Sequence, residues 1–262
     1  MDRLATWREL TQAPDDDLDL GLGAMLIARI EHPELDPKAE LARLDELAAR
    51  LGGAHVHRLR RYLFEEQGFA GNAEDYYDPR NSCLNDVLDR RLGIPITLSV
   101  LAIEVGRRVG LQVDGIGLPG HFMASAGGVL FDPFHGGAVV SRADAGGVVA
   151  RVLGREVRLD ESHFAPTKPA DILIRMLANL RGVYVEREAW AKARAVMEHL
   201  LLIDPATAGH VRDYGTILMK EGNFVRGAAL WEKYLGLEPA APDAKRITSQ
   251  LTEIRRAIAS LN

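Results

Sequence analysis

The hydrophobic pattern changes at Gly110, and no other feature of the chain constrains its fold as strongly. Before this glycine, residues 96–109 are apolar almost all round, which is typical of a helix buried in a core. After it the apolar period falls to two, which indicates strands. We predict strands over residues 113–118, 121–125 and 129–132, with residues 139–140 as a fourth candidate.

The segment 126–128, between the second and third strands, has the composition of a hairpin turn. If its first two residues form the loop, Ser125 pairs with Gly128, and the same antiparallel register places His121 directly opposite Asp132. Directly opposed residues share a face of the sheet, with Cβ atoms roughly 5 Å apart. The sequence therefore predicts a neighbouring His–Asp pair, which a slip of one residue would separate.

Helical periodicity dominates residues 1–71, which we expect to form an N-terminal helical region. Asp36 can cap the second of its helices, and Pro37 suits the first helical position. The three predicted helices cover residues 18–30, 37–51 and 55–67. Residues 72–166 are then expected to form the core.

Pro205 and Pro239 lie 34 residues apart, which is the period of a tetratricopeptide repeat. Positions counted back from each proline carry matching packing residues: Leu177, Leu180, Tyr184, Ala193, Met197 and Leu200 match Val211, Tyr214, Leu218, Gly227, Trp231 and Tyr234. Gly215 is the small residue expected in such a repeat, whereas its counterpart is Arg181. We expect residues 167–262 to form two helix pairs and a trailing helix over 244–261, with a groove for a protein or peptide partner.

Composition argues against several classes of function. The formal net charge is −5 and basic pairs are scattered, which disfavours direct binding of nucleic acid. The longest apolar stretch, residues 94–105, contains Glu104 and is too short to span a membrane. Residues 1–12 lack the order of a signal peptide, and a single cysteine, Cys83, fits a reducing compartment. We therefore expect a cytoplasmic protein.

A helix, a strand bearing His and a strand bearing Asp follow one another in papain-like and transglutaminase-like folds. The histidine accepts the proton of a thiol at a helix N-terminus, and the aspartate orients the imidazole. His121 and Asp132 have this order. Cys83 is the candidate nucleophile if its helix, over residues 83–91, brings the sulfur to the imidazole. A small, half-buried side chain at a helix start is the alternative, and we favour it.

The cap of that helix is expected to be Asn81 or Ser82, because both residues are good N-caps. The helix should end where Gly93-Ile94-Pro95 breaks the pattern. The buried helix over residues 96–109 then follows directly.

The segment NSCLNDVLDRRLGIPITLSVLAIEVGRRVGLQVDGIGLPGHFMA, with LFDPFHGG after it, closely resembles the transglutaminase-like domain of the bacterial proteins described as regulators of SirC expression. Those proteins join this domain to tetratricopeptide repeats. The segment LDLGLGAMLIARIEHPELD and the helical tail extend the resemblance over nearly the whole chain. It implies an α+β fold, with a papain/transglutaminase-like core and a small antiparallel sheet. N-terminal helices precede that core, and C-terminal tetratricopeptide-like helical repeats follow it.

One departure from active transglutaminase-like enzymes concerns the nucleophile. The resemblance lays Pro95 on the position of their cysteine, and proline has no nucleophilic atom. We therefore favour a non-catalytic, protein-binding adaptor or indirect regulator with a relic site. The alternative is a cysteine-dependent amide hydrolase or transamidase that uses Cys83, His121 and Asp132.

Other polar residues near these positions carry weaker signals. His135 lies in a turn pattern, and a metal site formed with His121 and Asp132 has no recognised ligand spacing, so no metal or cofactor is expected. Thr97 and Ser99 carry hydroxyls close to position 95. We expect these hydroxyls to bond helix carbonyls rather than to act as nucleophiles.

Overall fold

The structure is a computed structural model that describes residues 4–14 and 17–260. The chain divides into two compact units, one over residues 9–176 and one over residues 4–8 and 177–260. The ends of the predicted regions at Met1 and Asn262, and Leu261 of the predicted last helix, lie outside the described residues. The boundaries predicted at residues 71 and 166 stay a prediction.

Helices form the first part of the chain, as predicted. Asp36 caps the third helix by accepting a hydrogen bond from the backbone N–H of Lys38 at 3.0 Å, and Pro37 is its first residue. The fourth helix continues into a π-helix over Arg61–Glu66, so the predicted helix over residues 55–67 contains a change of winding. The four helices are α1 (Ala5–Thr11), α2 (Leu20–Ala28), α3 (Pro37–Ala49) and α4 (Val56–Arg60).

Two helices, α5 (Leu84–Arg90) and α6 (Pro95–Arg108), follow a 3-10 turn over Pro79–Ser82. The predicted cap of α5 is wrong, because Asn81 and Ser82 belong to that turn and Cys83 is the N-cap residue. An N-cap needs extended backbone, which Cys83 has with φ −100° and ψ 115°. The Asn81 amide instead donates to the carbonyls of Asp75 and Tyr76.

The sheet is antiparallel, in the order β3 (Asp114–Leu118), β4 (His121–Ala126), β5 (Val129–Asp132) and β6 (Ala138–Val139). A separate parallel pair, β1 (Ala70–Gly71) and β2 (Leu92–Gly93), was not predicted. The helix α7 (Arg142–Leu153) follows the sheet, and its apolar residues pack with those of β3, β4 and β5.

The predicted hairpin register is wrong by two residues. Ser125 pairs with Leu130 rather than with Gly128, because the loop is Gly127-Gly128. Both glycines have positive φ, 55° and 80°, as a two-residue hairpin turn of type I′ requires. The loop predicted from the sequence would have forced Ala126 into that unfavourable region.

The C-terminal helices end at the predicted positions. The helix over Trp190–Ile203 ends before Pro205 and the helix over Phe224–Leu237 ends before Pro239, which confirms the breaks expected from the repeat period. The helices are α8 (Pro169–Glu186), α9 (Trp190–Ile203), α10 (Ala208–Lys220), α11 (Phe224–Leu237) and α12 (Ala244–Ser260). None of the described helices combines the length and the apolarity that crossing a membrane requires.

Small residues let α10 and α11 cross closely in the second repeat. A Cβ atom on Gly227 would lie 2.9 Å from the carbonyl oxygen of Gly215, so a larger residue cannot fit without a backbone shift. In the first repeat, Arg181 occupies the position equivalent to Gly215 and forms an ion pair with Asp213 at 2.7 Å. Arg181, which stands where a small residue was expected, therefore forms a polar contact between the two repeats.

Candidate functional site

His121 is the first residue of β4, and a tight turn delivers it there. Gly120 has a φ of 68°, which a residue with a side chain rarely adopts, and His121 pairs with Leu118 across the turn. The imidazole is 3% exposed. Its Nε2 lies 2.8 Å from Oδ2 of Asp132, the last residue of β5, which confirms that the two residues are neighbours, as predicted.

The pair is diagonal rather than directly opposed. Extending the observed register places Asp132 opposite Met123, two residues beyond His121. A shift of two residues keeps both side chains on one face of the sheet, because side chains alternate with a period of two. The predicted contact is therefore present although the predicted register was wrong, and the two side chains reach across the longer distance between their backbone positions.

Asp132 is held by four hydrogen bonds. Its Oδ1 accepts the backbone N–H groups of Phe134 at 3.0 Å and His135 at 3.4 Å. Its Oδ2 accepts His121 and also Nδ1 of His135, each at 2.8 Å. A carboxylate only accepts hydrogen bonds, so the imidazole nitrogens that face it carry protons. His121 is thereby oriented with Nδ1 as its second nitrogen.

His135 is a member of this cluster that the sequence analysis assigned to a turn. The turn brings His135 back toward Asp132, because the Asp132 carboxylate accepts hydrogen bonds from the backbone N–H groups two and three residues ahead, in an Asx-type arrangement. The sequence DPFH carries that signal, since an aspartate before proline favours turn initiation. The His135 side chain is 56% exposed, so the cluster opens to solvent on this side.

The cluster keeps the Asp132 carboxyl group ionised. Burial raises its pKa, but the hydrogen bonds and charges of His121 and His135 outweigh burial and leave the pKa below the ordinary value. A fixed carboxylate and an oriented imidazole are two of the three groups that thiol-dependent acyl transfer requires.

The third group, the thiol of Cys83, lies in a different cluster. Its Sγ lies within 4.8 Å of the donor atoms of His32 and Asp86, whereas His121 is grouped in the same way with Asp132 and His135. Cys83 is fully buried, and its Sγ is 3.6 Å from the carbonyl oxygen of Pro79. No periodicity in the sequence pointed to this grouping.

His32 and Asp86 form a hydrogen bond of 2.7 Å between Nε2 and Oδ2. His32 lies after α2 and Asp86 in the first turn of α5. The thiol therefore lies beside an imidazole–carboxylate pair that sequence reasoning missed.

The start of the core helix α6 presents no reactive side chain. Pro95 is its first residue. The Thr97 hydroxyl donates to the carbonyl of Asn81 at 2.7 Å, and the Ser99 hydroxyl donates to the carbonyl of Pro95 at 2.9 Å. These contacts confirm the expectation that both hydroxyls bond backbone carbonyls.

Both clusters contain donor types that bind metal ions. His121, Asp132 and His135 offer two imidazoles and one carboxylate, and the cysteine cluster offers sulfur, imidazole and carboxylate. Within each group the donor atoms lie within 4.8 Å of one another. The expectation that the protein holds no metal therefore stays a prediction.

The repeat region contains a cavity of about 370 Å³ between α8, the start of α9, and α10. Its apolar walls are Val185, Trp190 and Ile217, and the ion pair between Arg181 and Asp213 forms one polar edge. The Lys220 ammonium lies 5.8 Å from the centre of the Trp190 ring at another edge.

Comparison with known proteins places the two regions in two families. A family model described as the transglutaminase-like superfamily matches residues 31–178, and a tetratricopeptide repeat model matches residues 180–252. These matches confirm the predicted fold class. No solved structure matches the chain.

Several curated proteins are similar to this chain. A UPF0162 protein of Xylella fastidiosa (strain 9a5c) is 34% identical over 96% of this chain and 95% of its own length. A UPF0162 protein of Vibrio cholerae is 29% identical over 72% of this chain and 71% of its own length. F-box only protein 21 of Homo sapiens is 33% identical over 35% of this chain and 14% of its own length.

Proposed function

Because this chain belongs to the transglutaminase-like superfamily and to the UPF0162 family, we propose that it is a non-catalytic member that binds a protein partner through its tetratricopeptide repeats. In this proposal the protein acts in the cytoplasm as an adaptor. Its effect on gene expression, which the resemblance to regulators of SirC expression implies, is then indirect. The net charge of −5 supports a protein partner rather than nucleic acid.

This proposal rests on the burial of the thiol and on its grouping with an imidazole other than that of His121. Acyl transfer by cysteine requires sulfur within roughly 3 to 4 Å of an imidazole nitrogen. Cys83 is grouped with His32 and Asp86, and the position of the nucleophile holds Pro95. His121 and Asp132 then serve as a relic pair that stabilises the hairpin.

The cavity in the repeats supports the binding role. Tetratricopeptide repeats commonly bind extended or helical protein segments in their grooves. The cavity has an apolar surface formed by Val185, Trp190 and Ile217. Lys220 places a positive charge beside that surface. We therefore propose a partner segment with an apolar or aromatic anchor next to an acidic residue.

The catalytic part of the proposal can be tested with the full-length protein. We expect no thiol-dependent incorporation of a fluorescent amine into a glutamine-containing protein, and no hydrolysis of peptide amides. Parent, Cys83→Ala and His121→Ala should give the same background rate. Turnover by the parent that disappears in both variants would instead establish the cysteine-dependent alternative with Cys83, His121 and Asp132.

The binding part can be tested with two matched valines. Val185 lies in the repeat cavity and is 38% exposed, and Val152 lies on α7 and is 50% exposed. In a screen of peptides against the full-length protein, Val185→Asp should weaken binding about tenfold, as expected for a charge in an apolar contact. Val152→Asp should leave it unchanged. Equal affinities for both variants would rule out the cavity as the partner site.

A further inference from the structure

Arg175 reaches from α8 to the hairpin that carries His121. Its Nη2 donates to the carbonyl oxygens of His121 at 2.6 Å and Leu118 at 3.0 Å. The guanidinium carbon lies 5.2 Å from the centre of the Phe122 ring. The cation is therefore fixed beside the backbone of the residue that provides the buried imidazole.

This positive charge has no carboxylate partner among the described residues. Arg108, a comparably enclosed arginine, is bound by the carboxylates of Glu104 and Asp45. The contacts of Arg175 are two carbonyls and a ring, and no described acceptor meets its Nε or Nη1. Burial also lowers its pKa, since removing water destabilises the charged form. Charges removed from water in proteins are normally paired, so the guanidinium of Arg175, which is partly buried, favours an anion that approaches from solvent.

The surroundings of Arg175 suit a ligand that is part anionic and part apolar. Tyr76 interacts electrostatically with Arg175, and burial raises the pKa of the Tyr76 hydroxyl, which therefore stays protonated and can donate. The Tyr76 ring lies 5.9 Å from that of Phe134, which lies 5.2 Å from that of His135. Tyr76 is 38% exposed, so the ligand can arrive from solvent.

We propose that Arg175 anchors a carboxylate-bearing ligand in a site beside His121, with Tyr76 as a second donor. One guanidinium balances one negative charge, and Arg175 binds the backbone of His121, whose imidazole already binds the carboxylate of Asp132. A phosphate carries about −1.5 to −2 and would leave excess negative charge there. A carboxylate next to an apolar or aromatic group fits both the charge and the rings. This inference is independent of binding in the repeats.

The test uses small blocked amino acids on the full-length protein at low ionic strength. N-acetylphenylalanine supplies a terminal carboxylate, and its amide supplies the same ring without charge. N-acetylglutamate α-amide supplies a side-chain carboxylate, and inorganic phosphate supplies a dianion. By titration calorimetry or NMR, we expect at least one carboxylate to bind about tenfold more tightly than the phenylalanine amide and than phosphate. The better carboxylate identifies its source as a chain end or a side chain.

Two arginine variants locate the effect. Arg175→Gln should abolish the preference for acid over amide. Arg142→Gln is the matched control, because Arg142 also lies over a ring, that of Phe164 at 5.1 Å, but has Glu161 as its partner. It should keep the preference of the parent protein.

Failure of the inference is equally measurable. The inference is overturned if neither carboxylate binds the parent more tightly than the phenylalanine amide, or if none of the compounds binds. Phosphate binding more tightly than both carboxylates overturns the assignment to a monoanion. If Arg175→Gln loses the hairpin contacts and does not fold, Tyr76→Phe decides the question, because it removes one hydroxyl from a half-buried side chain. Loss of acid preference in Tyr76→Phe supports the site, and an unchanged preference contradicts it.

Discussion

Two of the imidazole–carboxylate pairs, His121–Asp132 and His32–Asp86, have nearly the same hydrogen-bond length and very different surroundings. His121 and Asp132 are 2.8 Å apart, with side chains 3% and 2% exposed. His32 and Asp86 are 2.7 Å apart, with side chains 37% and 12% exposed. We call the first pair the sealed pair, because water hardly reaches its side chains. We call the second the exposed pair, because water reaches its imidazole. Bond length alone therefore says little about how much each pair stabilises the fold.

The thiol makes the comparison informative about function. Cys83 is grouped with the exposed pair, whereas the sealed pair lies on the β4–β5 hairpin. The three residues that sequence analysis proposed as a triad are divided between two clusters, and the thiol of Cys83 lies with the imidazole of His32 and the carboxylate of Asp86 instead. A cysteine, a histidine and an aspartate therefore meet in this chain, but the histidine and aspartate are not the ones that the strand pattern indicated.

The largest expected effect is on stability. Asp132→Ala leaves a buried imidazole and two backbone N–H groups without their acceptor, so we expect a loss of about 3 kcal/mol in the free energy of unfolding. Asp86→Ala exposes an imidazole that water already reaches, and should cost about 1 kcal/mol or less. Urea denaturation measures both. Equal losses would mean that burial does not distinguish the pairs.

The next effect concerns thiol reactivity. Cys83 is fully buried, so its alkylation by iodoacetamide in the native protein should be about 100-fold slower than in urea, because reaction requires local opening. His121→Ala should leave the native rate unchanged, whereas His32→Ala should increase it by opening the cluster around the sulfur. Mass spectrometry of the alkylated peptide gives the rates. Rapid alkylation of the native protein near pH 6 that is lost in His121→Ala would instead show that His121 activates the thiol of Cys83.

Local sequence signals predicted the elements of the hairpin but not their pairing. Alternation of apolar residues fixed which face His121 occupies, and that part of the prediction is confirmed. The register depended on which two residues turn the chain. Only Gly127 and Gly128 together can adopt positive φ at low cost, a rule that the sequence already allowed. An error of two residues was tolerated because it preserves the face.

The second cluster shows where sequence patterns stop being informative. His32 and Asp86 are 54 residues apart, and their contact depends on how separate helices pack. Periodicity describes one element at a time, so it carries no information about such a meeting. The breaks before Pro205 and Pro239, in contrast, follow from local backbone chemistry, because proline cannot continue a helix.

The smallest expected effect is a dependence on pH that belongs to the sealed pair. The folded pKa of Asp132 lies below its ordinary value: burial raises it, and the hydrogen bonds from His121 and His135 lower it further than burial raises it. For such a carboxyl group the ionised form stabilises the fold above the unfolded pKa of about 3.9. This contribution disappears as the pH falls through the folded pKa. The parent should therefore lose stability toward urea as the pH falls from about 5 through the folded pKa of Asp132.

Asp132→Asn should lose less stability over the same interval, because the asparagine amide does not titrate. His121→Ala should also reduce the loss, since it removes the hydrogen bond that lowers the Asp132 pKa most among the neighbouring groups. Urea midpoints at several acid pH values, corrected for the lower starting stability of each variant, give the slopes. A steep acid slope that persists unchanged in both variants would show that other carboxyl groups govern acid unfolding. The sealed pair would then differ from the exposed one in burial alone.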